Sequence, residues 1–284
     1  MANILQRNNV RVIGEGEQVM LFAHGFGCDQ NVWRHIIKAY QHAYTLVVFD
    51  FVGSGQSDLL AYDITRYSSL DGYAADIIDI IEALNLRNVI FVGHSVSCMA
   101  GLRAAITQPQ YFNKLVFVAP SPCYLNDGDY QGGLSRDDLD GLFEMMDANY
   151  LGWSSSMAPL IMGNAESPEL GEELTANFCA TDPDIARRFA RVTFFSDNRA
   201  DLAKLTLPCL ILQCKEDILA PIEVGHYMNK HVIDSTLVVL EATGHCPHLS
   251  APSKTIEAIN GYLDSYPQSN ARFLSNDIVA KDRL

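Results

Sequence analysis

Three residues that lie far apart in the chain, Ser95, Asp217 and His245, have the types needed to make a hydroxyl attack a carbonyl. A serine hydroxyl is a weak nucleophile until a base withdraws its proton, and an imidazole does so in a fixed pose when an acid orients its far nitrogen. Ser95 sits in VIFVGHSVS (89–97), where a β-type run enters a tight turn and then a helical segment from Cys98 to Thr107. A strand–turn–helix passage of this kind strains the serine backbone and needs small residues two positions to either side. Gly93 meets that need, and Ser97 meets it as a small residue although glycine is usual there. Asp217 follows the apolar run CLILQCKE, and His245 follows TLVVLEA within Thr-Gly-His-Cys-Pro-His. The order Ser, acid, His, with the last two leaving late strands, delivers all three to one edge of a parallel sheet. His248 and Glu216 are the rival base and acid. His248 falls where a final helix begins, and Glu216 is one position out of phase.

Attack on a carbonyl also builds an oxyanion, which needs fixed N–H donors. HGFG (24–27) follows a strand run, so the expected donors are the backbone N–H groups of Phe26 and of Val96. Phe26 is also expected to put its ring beside Ser95. The loop DFVGSGQSD (50–58) has glycines but lacks the lysine and the following helix of a phosphate cradle, so it reads as structural, with Asp50 bonding to backbone. His24 and His94 read as parts of turn frameworks. No His, Cys or carboxylate cluster has metal spacing, and the chemistry calls for no cofactor.

These residues need a frame. Strand runs are expected at Val10–Ile13, Val19–His24, Thr45–Asp50, Val89–Val92, Lys114–Ala119, Cys209–Cys214 and Thr236–Leu240. Most are continuous apolar runs, as strands covered on both faces are. Tyr73, Ile77, Ile80, Ile81 and Leu84 recur at helical spacing, as do Ile256, Ile259 and Leu263. This alternation predicts an α/β fold with a doubly wound, mostly parallel sheet. It stops between Pro122 and Ala203, where Leu139–Met146, Leu170–Asn177 and Ile185–Val192 are helix-compatible and aromatics and methionines are dense. The expected organisation is a core from 1–121 and 204–266, an inserted all-helical cap at 122–203, and a polar tail at 267–284 that is loosely attached or partly disordered.

The balance of the chain narrows the function. Of 284 residues, 34 are acidic and 20 basic, a net charge of −14 that opposes binding to nucleic acid or anionic membranes. Seven scattered cysteines without CxxC pairs, together with an N-terminal stretch unlike a secretion signal, predict reduced buried thiols and a cytoplasmic location. No apolar run approaches membrane-spanning length.

The phrases HGFG, FDFVGSGQSD, GHSVSCMAG, SPCYLND, ATDPDIARRFA, FFSD and GHCPHLSAP together resemble one branch of the α/β-hydrolases, the RsbQ-type bacterial energy-stress regulators. The plant karrikin and strigolactone receptors share that branch, and the likeness runs from about residue 3 to residue 266. The resemblance implies the α/β-hydrolase fold, a cap of four helices in two V-shaped layers, and the triad Ser95, Asp217 and His245. It implies an apolar cavity matching Phe26, Val96, Leu142, Trp153, Met157, Phe194 and Leu219. It further implies a small hydrophobic ester, lactone or butenolide-like ligand, slow hydrolysis, and a role in stress signalling through a PAS-domain phosphatase or kinase. The alternatives are a small-molecule receptor with negligible turnover and an ordinary metabolic carboxylesterase.

Overall fold

Runs rich in Val, Ile, Leu and Phe pair into one seven-stranded sheet in the computed structural model, which describes residues 3–265. The strands are β1 (Arg11–Ile13), β2 (Val19–Ala23), β3 (Thr45–Val48), β4 (Val89–His94), β5 (Phe112–Val118), β6 (Cys209–Glu216) and β7 (Ser235–Thr243). Their spatial order is β1-β3-β2-β4-β5-β6-β7. β1 is antiparallel to β3 and every other pairing is parallel. The helices are α1 (Ile4–Arg7), α2 (Arg34–Tyr40), α3 (Leu70–Ala83), α4 (Val96–Thr107), α5 (Arg136–Ala148) and α6 (Tyr150–Met162). They continue with α7 (Pro168–Ala180), α8 (Pro183–Phe194), α9 (Ile222–His231), α10 (Pro247–Ser250) and α11 (Pro252–Ser265).

Successive side chains of a strand face opposite ways, so the continuous apolar runs feed two cores. Phe22, Val92, Val118 and Leu212 join one core with Ile36 of α2 and Ile259 of α11. Leu21, Phe91, Phe117 and Ile211 join the other with Ile77 of α3, Leu102 of α4 and Met228 of α9. Every strand expected from the sequence is present, with ends shifted by a few residues, most at β5 and β7. The expected tail at 267–284 lies outside the described residues. Among the described residues, no helix is long and apolar enough to cross a membrane.

Between β5 and β6 the chain forms α5 to α8 with no strand of the sheet. Three of these helices coincide with the helix-compatible patches, and α6 does not. The chain's entry to and exit from this insertion are tied together. Cys123 bridges Asp197, and the Asn198 N–H donates to Pro122 O at 2.7 Å. The cysteine expectation needs one correction. Six thiols are buried, but Cys179 is exposed, because it falls on the outer face near the end of α7.

Candidate active site

β4 ends at His94, and Ser95 stands between it and α4 with φ 57° and ψ −125°, a conformation rare for any residue but glycine. The turn is tight enough that a Cβ on Gly93 would come within 3.0 Å of the Cys98 backbone nitrogen. Ser97, where a second glycine is usual, fits because its hydroxyl is used. Ser97 Oγ accepts the His94 N–H at 2.8 Å and lies 2.8 Å from Ala23 O, to which it donates. The serine thus pins the turn to the end of β2.

The three residues expected to act together do meet. Ser95 Oγ lies 2.7 Å from His245 Nε2, and His245 Nδ1 lies 2.7 Å from Asp217 Oδ2. The second Asp217 oxygen accepts the Leu219 N–H at 2.9 Å and the Ala220 N–H at 3.2 Å, so the carboxylate is fixed at both ends. All three side chains are buried. With Asp217 accepting from Nδ1–H, Nε2 is left as the acceptor facing the serine hydroxyl. A proton can then pass from Oγ to the ring without any side chain swinging. The rivals are placed elsewhere. Glu216 is exposed and accepts from Thr243 Oγ1 at 3.2 Å. His248 is fully buried with its ring 4.6 Å from that of Trp33. Burial lowers its pKa to about 3, so it is neutral.

His24 is a framework residue, its Nδ1 donating to Gly25 O at 2.8 Å and its Nε2 accepting the Phe51 N–H at 3.1 Å. Asp50 likewise ties its own loop, accepting from the Gln30 N–H at 2.8 Å, the Gln56 N–H at 2.9 Å and Asn9 Nδ2 at 2.8 Å. Val96 is the first residue of α4, so its N–H has no partner within the helix. The Gly25 backbone lies against Ser95, since a Cβ there would sit 3.3 Å from Ser95 Cβ.

Above Ser95 is an apolar cavity. Phe26, Leu142, Trp153, Phe194 and Leu219 line it, as the resemblance implies. Val96 and Met157 do not. Val96, at the start of α4, is buried in the core on the other face of the sheet. Met157 is half-buried one turn beyond Trp153 on α6 and packs into the core instead. The roof is aromatic: Trp153 stacks on Phe178 at 5.4 Å, and Phe26 lies 5.6 Å from Phe178 and 6.3 Å from Phe194.

Sequence reasoning missed Tyr124, whose hydroxyl is 3.1 Å from Ser95 Oγ, and Phe178, Cys28 and Cys246 in the lining. Tyr124 lies in the loop after β5, where no periodicity points inward. Its one signal was a place in the aromatic-rich stretch. Burial raises the Tyr124 hydroxyl pKa far above neutrality and pushes the Cys28 thiol up to about 12, so both stay protonated.

The site also touches the insertion. The His245 N–H donates to Ile161 O at 2.9 Å, taking up one of the last α6 carbonyls, which have no partner within the helix. Asn164 Nδ2 donates to Thr243 O at 2.8 Å just beyond.

A model of the alpha/beta hydrolase family matches residues 20–258. A probable esterase from Oryza sativa subsp. japonica is 41% identical, covering 91% of this chain and 96% of its own. The karrikin insensitive 2 receptor CA of Petunia hybrida is 40% identical, covering 91% and 96%. Among solved structures, a hydrolase from Oleispira antarctica superposes with a TM-score of 0.90 at 44% identity, covering 92% of this chain and 96% of the other.

Proposed function

The chain belongs to the alpha/beta hydrolase family, and from that premise we propose a serine hydrolase that takes a small apolar ester, lactone or butenolide-like ligand and turns it over slowly in the service of signalling. The observation that carries this reading is the unbroken hydrogen-bonded chain from Ser95 through His245 to Asp217, buried beneath an apolar roof. As Ser95 Oγ attacks the carbonyl carbon, its proton passes to His245 Nε2, and Asp217 stabilises the resulting imidazolium. The carbonyl oxygen becomes an oxyanion held by the Phe26 and Val96 N–H groups. Collapse expels the alkoxide, which takes the proton from His245 and leaves an acyl group on Ser95. Water, deprotonated by the same imidazole, then releases the acid.

Phe26, Leu142, Trp153, Phe194 and Leu219 would hold the ligand, with residues 122–203 acting as the cap. The signalling half rests on the resemblance to RsbQ-type regulators and on a relative named as a receptor. Within it, the output is a contact with a PAS-domain phosphatase or kinase in the cytoplasm. A receptor with negligible turnover is the second reading, favoured by the relative named as a receptor.

Stopped-flow hydrolysis of p-nitrophenyl acetate tests both. We expect a burst equal to the enzyme concentration followed by slow release, and a loss of roughly 10⁴-fold or more in Ser95→Ala with unchanged thermal stability. A Ser95→Ala protein keeping a tenth of the activity would remove Ser95 from the mechanism. Fast steady turnover without a burst would leave an ordinary carboxylesterase.

A further inference from the structure

His94 belongs to the turn beneath the nucleophile, yet its side chain reaches both loops that flank the reacting atoms. Its Nε2–H donates to the backbone carbonyl of His245 at 2.8 Å. Its other nitrogen faces the loop of the expected oxyanion donor, since a Cβ on Gly25 would come within 2.6 Å of His94 Nδ1. The backbone of His94 is itself clamped, its N–H donating to Ser97 Oγ at 2.8 Å. We propose that His94 is a positioning residue: one imidazole, anchored by its own backbone, sets the spacing between the loop that carries His245 and the loop that carries Phe26. This rests on the roles given to Ser95 and His245 above.

The chemistry of the contact favours positioning over space-filling. The His245 backbone is held on two sides, its N–H by Ile161 O and its carbonyl by His94, so the direction of the ring follows from two fixed points. A carbonyl acceptor selects the tautomer with hydrogen on Nε2, and the ring must stay neutral to leave Nδ1 without a proton against Gly25. The titratable groups facing it, His24, His245 and His248, are all imidazoles, and burial among them lowers the His94 pKa well below its usual value.

The test compares two variants on p-nitrophenyl acetate, with fluorophosphonate labelling of Ser95 as a second readout. His94→Phe keeps the ring and removes the donor, whereas His94→Gln keeps a donor at the reach of Nε2. A small misplacement of a base costs rate more than binding, so we expect kcat to fall about 10- to 100-fold in the Phe variant with KM within about threefold, and labelling to slow in step. The Gln variant should recover to within about threefold of wild type. A Phe variant with wild-type kcat overturns the inference, as do equal losses in both variants or a change confined to KM. Should the Phe variant not fold, His94→Asn, whose amide stops short of the His245 carbonyl, takes its place with the same outcomes. Ser95→Ala in the labelling assay reports separately on the nucleophile.

Discussion

Two imidazoles close to His245, those of His94 and His248, are buried in contact with each other, their ring centres 4.4 Å apart. Neither ring is free to take up a proton without losing hydration, and burial holds both pKa values low, that of His248 at about 3. In the unfolded chain both titrate near 6.5, so below that pH the unfolded state binds protons that the folded state refuses. Their contribution to stability is therefore complete above about pH 6.5 and falls by up to about 1.4 kcal/mol per pH unit per ring as the pH drops towards the folded values. Urea unfolding from pH 7 to pH 5 should show that slope, and His248→Phe, which keeps a ring against Trp33, should reduce it by roughly half, leaving the His94 share. Parallel curves for the two proteins would show that His248 does not carry the effect. The hydrogen-bonded chain of Ser95, His245 and Asp217 was legible because each residue follows a strand run at a known place in the order. Tyr124 and the reach of His94 were not, since both depend on contacts between segments that no local spacing encodes.

The helix α6 shows where element-level reading fails and why. Gly152, the run Ser154–Ser156 and Pro159 interrupt any apolar period, so no helical signal arises there. The helix forms because its polar groups are used locally and its apolar face is buried. Asn149 Oδ1 caps the first turn by accepting the Gly152 N–H at 3.0 Å. The three serine hydroxyls donate back to the carbonyls of Tyr150, Leu151 and Gly152 at 2.8, 3.0 and 3.0 Å. Trp153 and Ile161 bury the inner face in the cavity wall, with Ser154 buried beside them. The end of α6 abuts the loop of the base, where Gly244 has φ +87° and an added Cβ would lie 1.8 Å from Met162 O. Gly244→Ala must therefore push α6 and His245 apart while straining the backbone. We expect a destabilisation of about 2–4 kcal/mol by denaturant unfolding, by analogy with other backbone and overpacking strain, and a loss of hydrolysis larger than stability alone explains. Wild-type activity in the folded variant would show that the base loop tolerates separation from α6.

At the scale of the whole molecule, the alternation of strands and helices made the sheet legible, and the break in that alternation falls where α5 to α8 stand between β5 and β6. The resemblance carried the apolar cavity and most of its lining, but not the contribution of Phe178, Cys28 and Cys246, because that depends on how side chains from several segments meet over one serine. The rings of Phe26, Trp153, Phe178 and Phe194 pack over Ser95 with centres 5.4 to 6.3 Å apart. Each added methylene of an acyl chain must then displace packed rings. Among p-nitrophenyl esters, kcat/KM should peak at acetyl or propionyl and drop by roughly tenfold or more by octanoyl, the scale of a few kcal/mol of overpacking. A steady rise with chain length would mean that the roof opens as a groove. The hydrogen bond from Asn198 to Pro122 carries a consequence for ancestry and for engineering alike. Departure and return meet at one point beyond the end of β5, so the intervening segment can be swapped for a foreign one without rerouting a single strand. Such a graft inherits one obligation: it must offer a carbonyl where Ile161 stands, or the borrowed roof will cover a histidine that no longer points at its serine.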